Sequence, residues 1–198
     1  MVHSSIKRLL RAPALLNAFI FIGLMILVFN PAAKATLIKG LMKVGLFQPN
    51  LSEPVKADNA ASAVPDIIFQ DTNGRFLHLS GQKGKVVFLN FWATWCPPCI
   101  AEMPSINRLY EKLKSNKNIV FIIVDADHDF SKSRPFMAKR HFTMPLYQAA
   151  SKIPESFLSN AIPTTTIIDL SGTGVFHQEG SADYRMPKGR EEVKMISK

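Results

Sequence analysis

Two cysteines among 198 residues are too few for a multi-disulfide scaffold, and they leave any zinc site two ligands short of the usual four. They stand at Cys96 and Cys99, with Pro97 and Pro98 between them. The five histidines are scattered, and Ile100 occupies the place where a c-type haem attachment site needs His after the second cysteine. A bridge of purely structural purpose would close too short a loop to constrain the unfolded chain by much. A calcium loop fails as well. Asp125, Asp127 and Asp129 have the opening spacing of an EF-hand, but Phe130 replaces the required Gly and Phe136 the bidentate Glu. No metal is expected, and what remains for the cysteine pair is redox chemistry.

Charge is missing from residues 12–33, "APALLNAFIFIGLMILVFNPAA", and about 20 apolar residues of helix suffice to cross a bilayer core. Lys7, Arg8 and Arg11 before the run, and Ala33-Lys34-Ala35 after it, also fit a cleaved secretory signal. The run is longer than a usual signal core, which favours an uncleaved anchor in contact with membrane lipid. Either way the remainder of the chain leaves the cytoplasm. The net charge of +9 is largely juxtamembrane: residues 1–60 hold seven basic and two acidic side chains, against seventeen and thirteen in residues 61–198. No basic stripe interleaved with aromatics marks the folded part, so nucleic acid is not an expected partner.

No internal repeat is present. Residues 1–33 read as a basic segment and transmembrane anchor, and residues 34–63 as a juxtamembrane segment and linker. In the first part of that linker Leu37, Leu41, Val44 and Phe47 recur at helical spacing between lysines, a pattern that suits a membrane surface. Residues 50–65 are rich in Ser, Ala, Asn and Pro without apolar period. Residues 64–198 form the domain. Within it, residues 67–69 and 76–79 read as a hairpin around "DTNG", and residues 86–91 as a buried strand. A helix over residues 98–114 should bury Ile106, Leu109, Tyr110 and Leu113. A strand over 119–124, a helix over 131–141 and a closing pair of strands, 165–169 and 175–178, complete an α/β sandwich around a mixed sheet.

If Cys96 caps the helix, its sulfur faces the positive end of the helix dipole, which favours the thiolate. Cys96 is then the nucleophile, and Cys99, one turn inward, the resolving thiol. Pro98 at the second helical position has no N–H to offer a capping sulfur, which leaves the Cys99 amide alone at the second and third positions. Weaker support of the thiolate predicts a reductant rather than a strong oxidant.

The stretch "VVFLNFWATWCPPCIAEMP" resembles the active-site segment of thioredoxin-fold proteins, in particular the membrane-anchored TlpA/ResA-like branch associated with cytochrome c maturation. The resemblance runs from about Val64 to Gly180. It implies a thioredoxin-like fold and a thiol-disulfide oxidoreductase with no cofactor beyond the Cys96–Cys99 disulfide. Its domain would sit on the extracytoplasmic side of the cytoplasmic membrane on a single span. Disulfide-containing proteins would be its substrates and a membrane protein its electron donor. The resemblance also places Asn90 where thioredoxin proper has a buried Asp, and Glu102 where this branch keeps an acid beside the active site. It makes the bond before Pro163 cis, and gives Ile162 a substrate-binding main chain. Glu102 would accept the Cys99 proton, and Trp95, Pro97 and Pro98 would meet the substrate, with Trp92 left to the core. Pro104 lies inside the helix and should kink it. In "RMPKGREEVKMISK" Pro187 and Gly189 break the pattern, so the family's closing helix is in doubt.

Two rival functions remain. A peroxiredoxin-type thiol peroxidase carries P-x-x-x-T-x-x-C, and Ala93 stands in place of the Thr. A thioredoxin-fold binding module without turnover has no need of both cysteines.

Overall fold

The computed structural model describes residues 17–43, 65–158 and 161–184. Helix α1 (Asn17–Phe29) and helix α2 (Pro31–Lys43) come first. Then follow β1 (Ile68–Asp71), β2 (Phe76–His78), a 3-10 turn at Ser80–Gln82, and β3 (Val86–Trp92). Helix α3 (Pro97–Leu113), β4 (Ile119–Asp125), α4 (Phe130–Lys139), β5 (Leu146–Ala149), β6 (Thr164–Ile168) and β7 (Gly174–Glu179) complete the order. The strands form one mixed sheet in the order β2-β1-β5-β4-β3-β6-β7. β3 lies in its interior beside the middle strand β4, parallel to β4 and antiparallel to β6.

All seven residues of β3 are buried, because alternate side chains enter two different cores. Val86, Phe88 and Trp92 meet α3, whereas Val87, Leu89 and Phe91 face the opposite layer with Phe69, Ile122 and Phe157. Asn90 shares the parity of Phe88 and Trp92, so its amide points under α3. β6 obeys the same rule: Thr165 shares the face of Ile167, and the register sets Thr165 opposite Asn90. Strand pairing alone thus brings two polar side chains together beneath the active-site helix.

The expected elements are found with shifts of at most two residues at their ends. β5 was not anticipated, since it has four residues, only Leu146 of them buried, and is a strand only because β4 and β1 pair with its two edges. α3 continues through Pro104. The aspartates of the would-be calcium loop serve the loop itself: the Asp125 carboxyl accepts from the main-chain N–H of Asp127 and Asp129.

The N-terminal helices depart from the expected layout. Among the described residues no single helix is long and apolar enough to cross a membrane; α1 and the first part of α2 are so only together, and they bend by 94° between them. Residues 12–16 of the expected span lie outside the described ones. α2 does not stand apart from the domain: Ala35 is buried against Ile100 and Ala101 of α3, with Ile38 and Phe136 packed around them. Leu37 instead points outward. Ile100 and Ala101 follow Cys99 directly on a face of α3 turned away from the sheet, and covering an isoleucine stabilises by about 1.5–3 kcal/mol. Val44 and Phe47 lie outside the described residues, as does the doubtful closing segment 185–198.

Candidate active site

α3 begins with its cysteine. Cys96 has extended backbone at the cap position, and its sulfur accepts from the Cys99 N–H at 3.2 Å. Pro97 and Pro98 occupy the first two helical positions, so that single amide is the cap bond, as expected from the missing proline N–H groups. The sulfurs are joined in a Cys96–Cys99 disulfide with the Cα atoms 5.3 Å apart. Both residues are buried, Cys96 with 3% exposure and Cys99 with none, which gives the expected order of access by a narrow margin. Trp95 beside them is 59% exposed and donates its indole N–H to Asp127 Oδ2 at 2.7 Å. Trp92 is fully buried.

Across the disulfide lies the turn into β6. The Ile162–Pro163 bond is cis, and the Ile162 carbonyl oxygen is 3.7 Å from Cys96 Sγ. A disulfide sulfur has no hydrogen to donate, so this is an S···O contact that an S–H could convert to a weak hydrogen bond after reduction. Pro97 and Pro98 are half-buried at the rim. The structure thus gathers Trp95, Cys96, Pro97, Pro98 and Ile162-Pro163 around one bond.

Glu102 lies deeper than partial burial would place it. Cys99, Glu102, Met103, Ile106, Leu109 and Leu113 form the buried stripe of α3, and the Glu102 side chain is completely enclosed. Its Oε1 accepts from Asn90 Nδ2 at 2.9 Å and its Oε2 from the Ala182 N–H at 3.1 Å. The second Asn90 N–H goes to Thr165 Oγ1 at 2.9 Å, while Asn90 Oδ1 is buried without a hydrogen-bond partner among the described residues. With no cation beside it among the described residues, enclosure favours the neutral acid: burial pushes the carboxyl up from 4.5 to about 8, against the opposing pull of the Ala182 and Asn90 donors. The same enclosure, and then the nearby Glu102 carboxyl, raise the Tyr184 phenol well above its ordinary range.

Asn90 and Glu102 are marked by the resemblance and Asp127 only by the failed calcium loop, whereas nothing local marks Thr165, Ser105 or Ala182. The i, i+3 spacing of Cys99 and Glu102 sets the acid beside that thiol on the helix, and its full burial comes from the fold. No comparable signal joins Ala182 to it, 80 residues away.

A redox-active dithiol capping a helix on a thioredoxin-like sheet defines a class, and comparison bears it out. Residues 59–184 match the Redoxin family, and the chain belongs to it. It is 33% identical over 162 residues to the thiol-disulfide oxidoreductase ResA of Bacillus cereus, covering 81% of this chain and 91% of that one. The ResA of Bacillus subtilis is 32% identical over 112 residues, 56% of this chain and 62% of the other. A thiol:disulfide interchange protein of the thioredoxin family from Chlorobium tepidum shares the fold, with a TM-score of 0.57 at 23% identity over 70% of this chain and 99% of that one. This chain is a thiol-disulfide oxidoreductase.

Proposed function

We propose that the protein is a membrane-anchored, extracytoplasmic reductant of protein disulfides, with apocytochromes in cytochrome c maturation as the substrate class. The observation that carries the reading of its chemistry is a buried carboxyl, Glu102, one helical turn from Cys99 in a site whose nucleophile has a single cap amide. In the reduced protein the Cys96 thiolate attacks a partner disulfide and expels one partner thiolate, leaving a mixed disulfide. Glu102 takes the proton of Cys99, whose sulfur attacks Cys96 Sγ. The Cys96–Cys99 bond forms, the second partner thiolate leaves, and two electrons have passed to the partner. A dithiol of a membrane electron donor reverses these steps. When it opens the disulfide, the neutral Glu102 acid returns the proton to the departing Cys99. A group that titrates near 8 serves both directions, because both of its forms are accessible near neutral pH.

An extended substrate segment would lie along the Ile162 main chain, with Trp95, Pro97, Pro98 and Pro163 around the attacked sulfur. What supports the anchor is α1, on which Phe19, Phe21, Leu24 and Phe29 are all exposed; so large an apolar surface calls for a cover. Its lipid contact would continue through residues 12–33.

The test is a reduction potential measured as a function of pH, with single-turnover kinetics of wild type and Glu102→Gln. A reductant lies well below the potential of its compartment; a value well above it refutes the assigned direction. Glu102→Gln should slow resolution more than the first attack and lower the thiol titrations. Unchanged turnover together with unchanged thiol titration removes Glu102 from the mechanism.

A further inference from the structure

After β7 the chain turns back across α3 and touches it at three levels. The Ser181 hydroxyl donates to the Pro98 carbonyl at 3.2 Å, and the Ala182 N–H to Glu102 Oε2 at 3.1 Å. The Tyr184 N–H donates to Ser105 Oγ at 3.2 Å. The Ser105 hydroxyl in turn donates to the Glu102 main-chain carbonyl at 2.8 Å, so this one side chain ties the strap to the turn of helix that carries the carboxyl. Ser105, Ala182 and Tyr184 are all buried, and the Tyr184 ring stacks edge-on against Phe88 of β3. The Gly180 N–H bonds to the Pro163 carbonyl at 2.8 Å, fixing the other end of the strap.

We propose that residues 181–184 are a positioning strap for Glu102, which holds the Ala182 N–H on the carboxyl, and that Ser105 is the residue that latches it. Main-chain donors favour the charged form of a carboxyl, and in an enclosure as dry as this one each donor weighs heavily. Asn90 supplies one donor from the sheet, and the strap supplies the other. Thr165 of β6 is tied to the carboxyl through Asn90. Among the described residues the other titratable neighbours are the buried and itself engaged Asp183, Tyr184, and, once the disulfide is reduced, Cys99 on the same helix. Freeing the strap therefore makes the Glu102 proton harder to release, while the disulfide, its cap and the Ile162 carbonyl stay in place.

The inference rests on the reading of Glu102 as the proton partner of Cys99, and two readouts separate them. In the full-length oxidised protein the Glu102 carboxyl is titrated by 13C NMR in wild type, Ser105→Ala and Ser105→Thr. The pH profile of mixed-disulfide resolution is measured on the same proteins. Ser105→Ala should move the carboxyl midpoint upward by about one pH unit, the scale of one hydrogen bond to a charge. The resolution profile should follow, and Ser105→Thr, which keeps a hydroxyl, should restore both. Ala182→Pro, which removes the donor while leaving Ser105 intact, should give the same upward shift and keeps the question open to test if Ser105→Ala does not fold. An unmoved carboxyl midpoint in a folded variant overturns the strap. A moved midpoint with an unmoved resolution profile supports the strap and refutes the role of Glu102.

Discussion

Replacing Glu102 by Gln should reverse the usual sign of a buried polar substitution, and the reversal should depend on pH. The carboxyl titrates near 4.5 in an unfolded chain and near 8 when enclosed. Below pH 4.5 both states hold the proton and the group contributes nothing. Between these values the unfolded chain has released its proton while the native state retains it, so native stability falls as pH rises. Above 8 the loss levels off at about 5 kcal/mol as an upper bound, at ~1.4 kcal/mol per pH unit. That is a large part of the roughly 5–15 kcal/mol by which a domain is stable. Gln does not titrate, but its single oxygen cannot accept from both Asn90 Nδ2 and the Ala182 N–H. One donor is left buried and unpaired, a pH-independent cost of about 1–3 kcal/mol. Glu102→Gln should accordingly be the less stable protein near pH 5, draw level between about pH 5.5 and 7, and exceed wild type by ~2–4 kcal/mol at pH 9. Urea unfolding of the two oxidised proteins across this range measures it. A stability difference that stays flat with pH refutes the assignment of Glu102 as a buried, neutral acid.

Cys99→Ser should accumulate mixed disulfides with partner proteins, released by added reductant, and Cys96→Ser few; equal trapping by both, or trapping only through Cys99, overturns the assignment of nucleophile and resolving thiol. A chain beginning at Pro65 should fold and keep its redox activity, yet unfold at ~2 kcal/mol lower stability than one beginning at Asn30, because Ile100 and Ala101 lose the cover of α2. Equal denaturation midpoints would show that α2 contributes nothing to the domain. Asp127→Ala should release the Trp95 indole and lower its fluorescence anisotropy, whereas Asp127→Asn should keep the bond; no change in the Ala variant would deny the bond in solution.

How far a residue's partners lie along the chain decides how much of this could be read beforehand. The cap at Cys96, the two missing proline amides and the inward turn to Cys99 are local, and helix geometry fixes them within four residues. The apolar runs of β3 and β4 likewise announce buried central strands by themselves. β5 is different: its short half-polar segment is extended because two neighbours hydrogen-bond it, and nothing within it demands that. α2 shows the same dependence, since its apolar residues suit a lipid surface as well as they suit α3, and only the fold provides Ile100, Ala101 and Phe136 to meet them.

The reagent, a dithiol at a helix start, is written locally in the chain, because those residues act through neighbours a turn away. The environment of its acid is assembled only when the chain folds. Asn90 and Thr165 meet through strand register, and Ala182 arrives from 80 residues beyond Glu102. A carboxyl's affinity for its proton depends on what surrounds it on every side, and those surroundings come from four separate segments that only folding brings together.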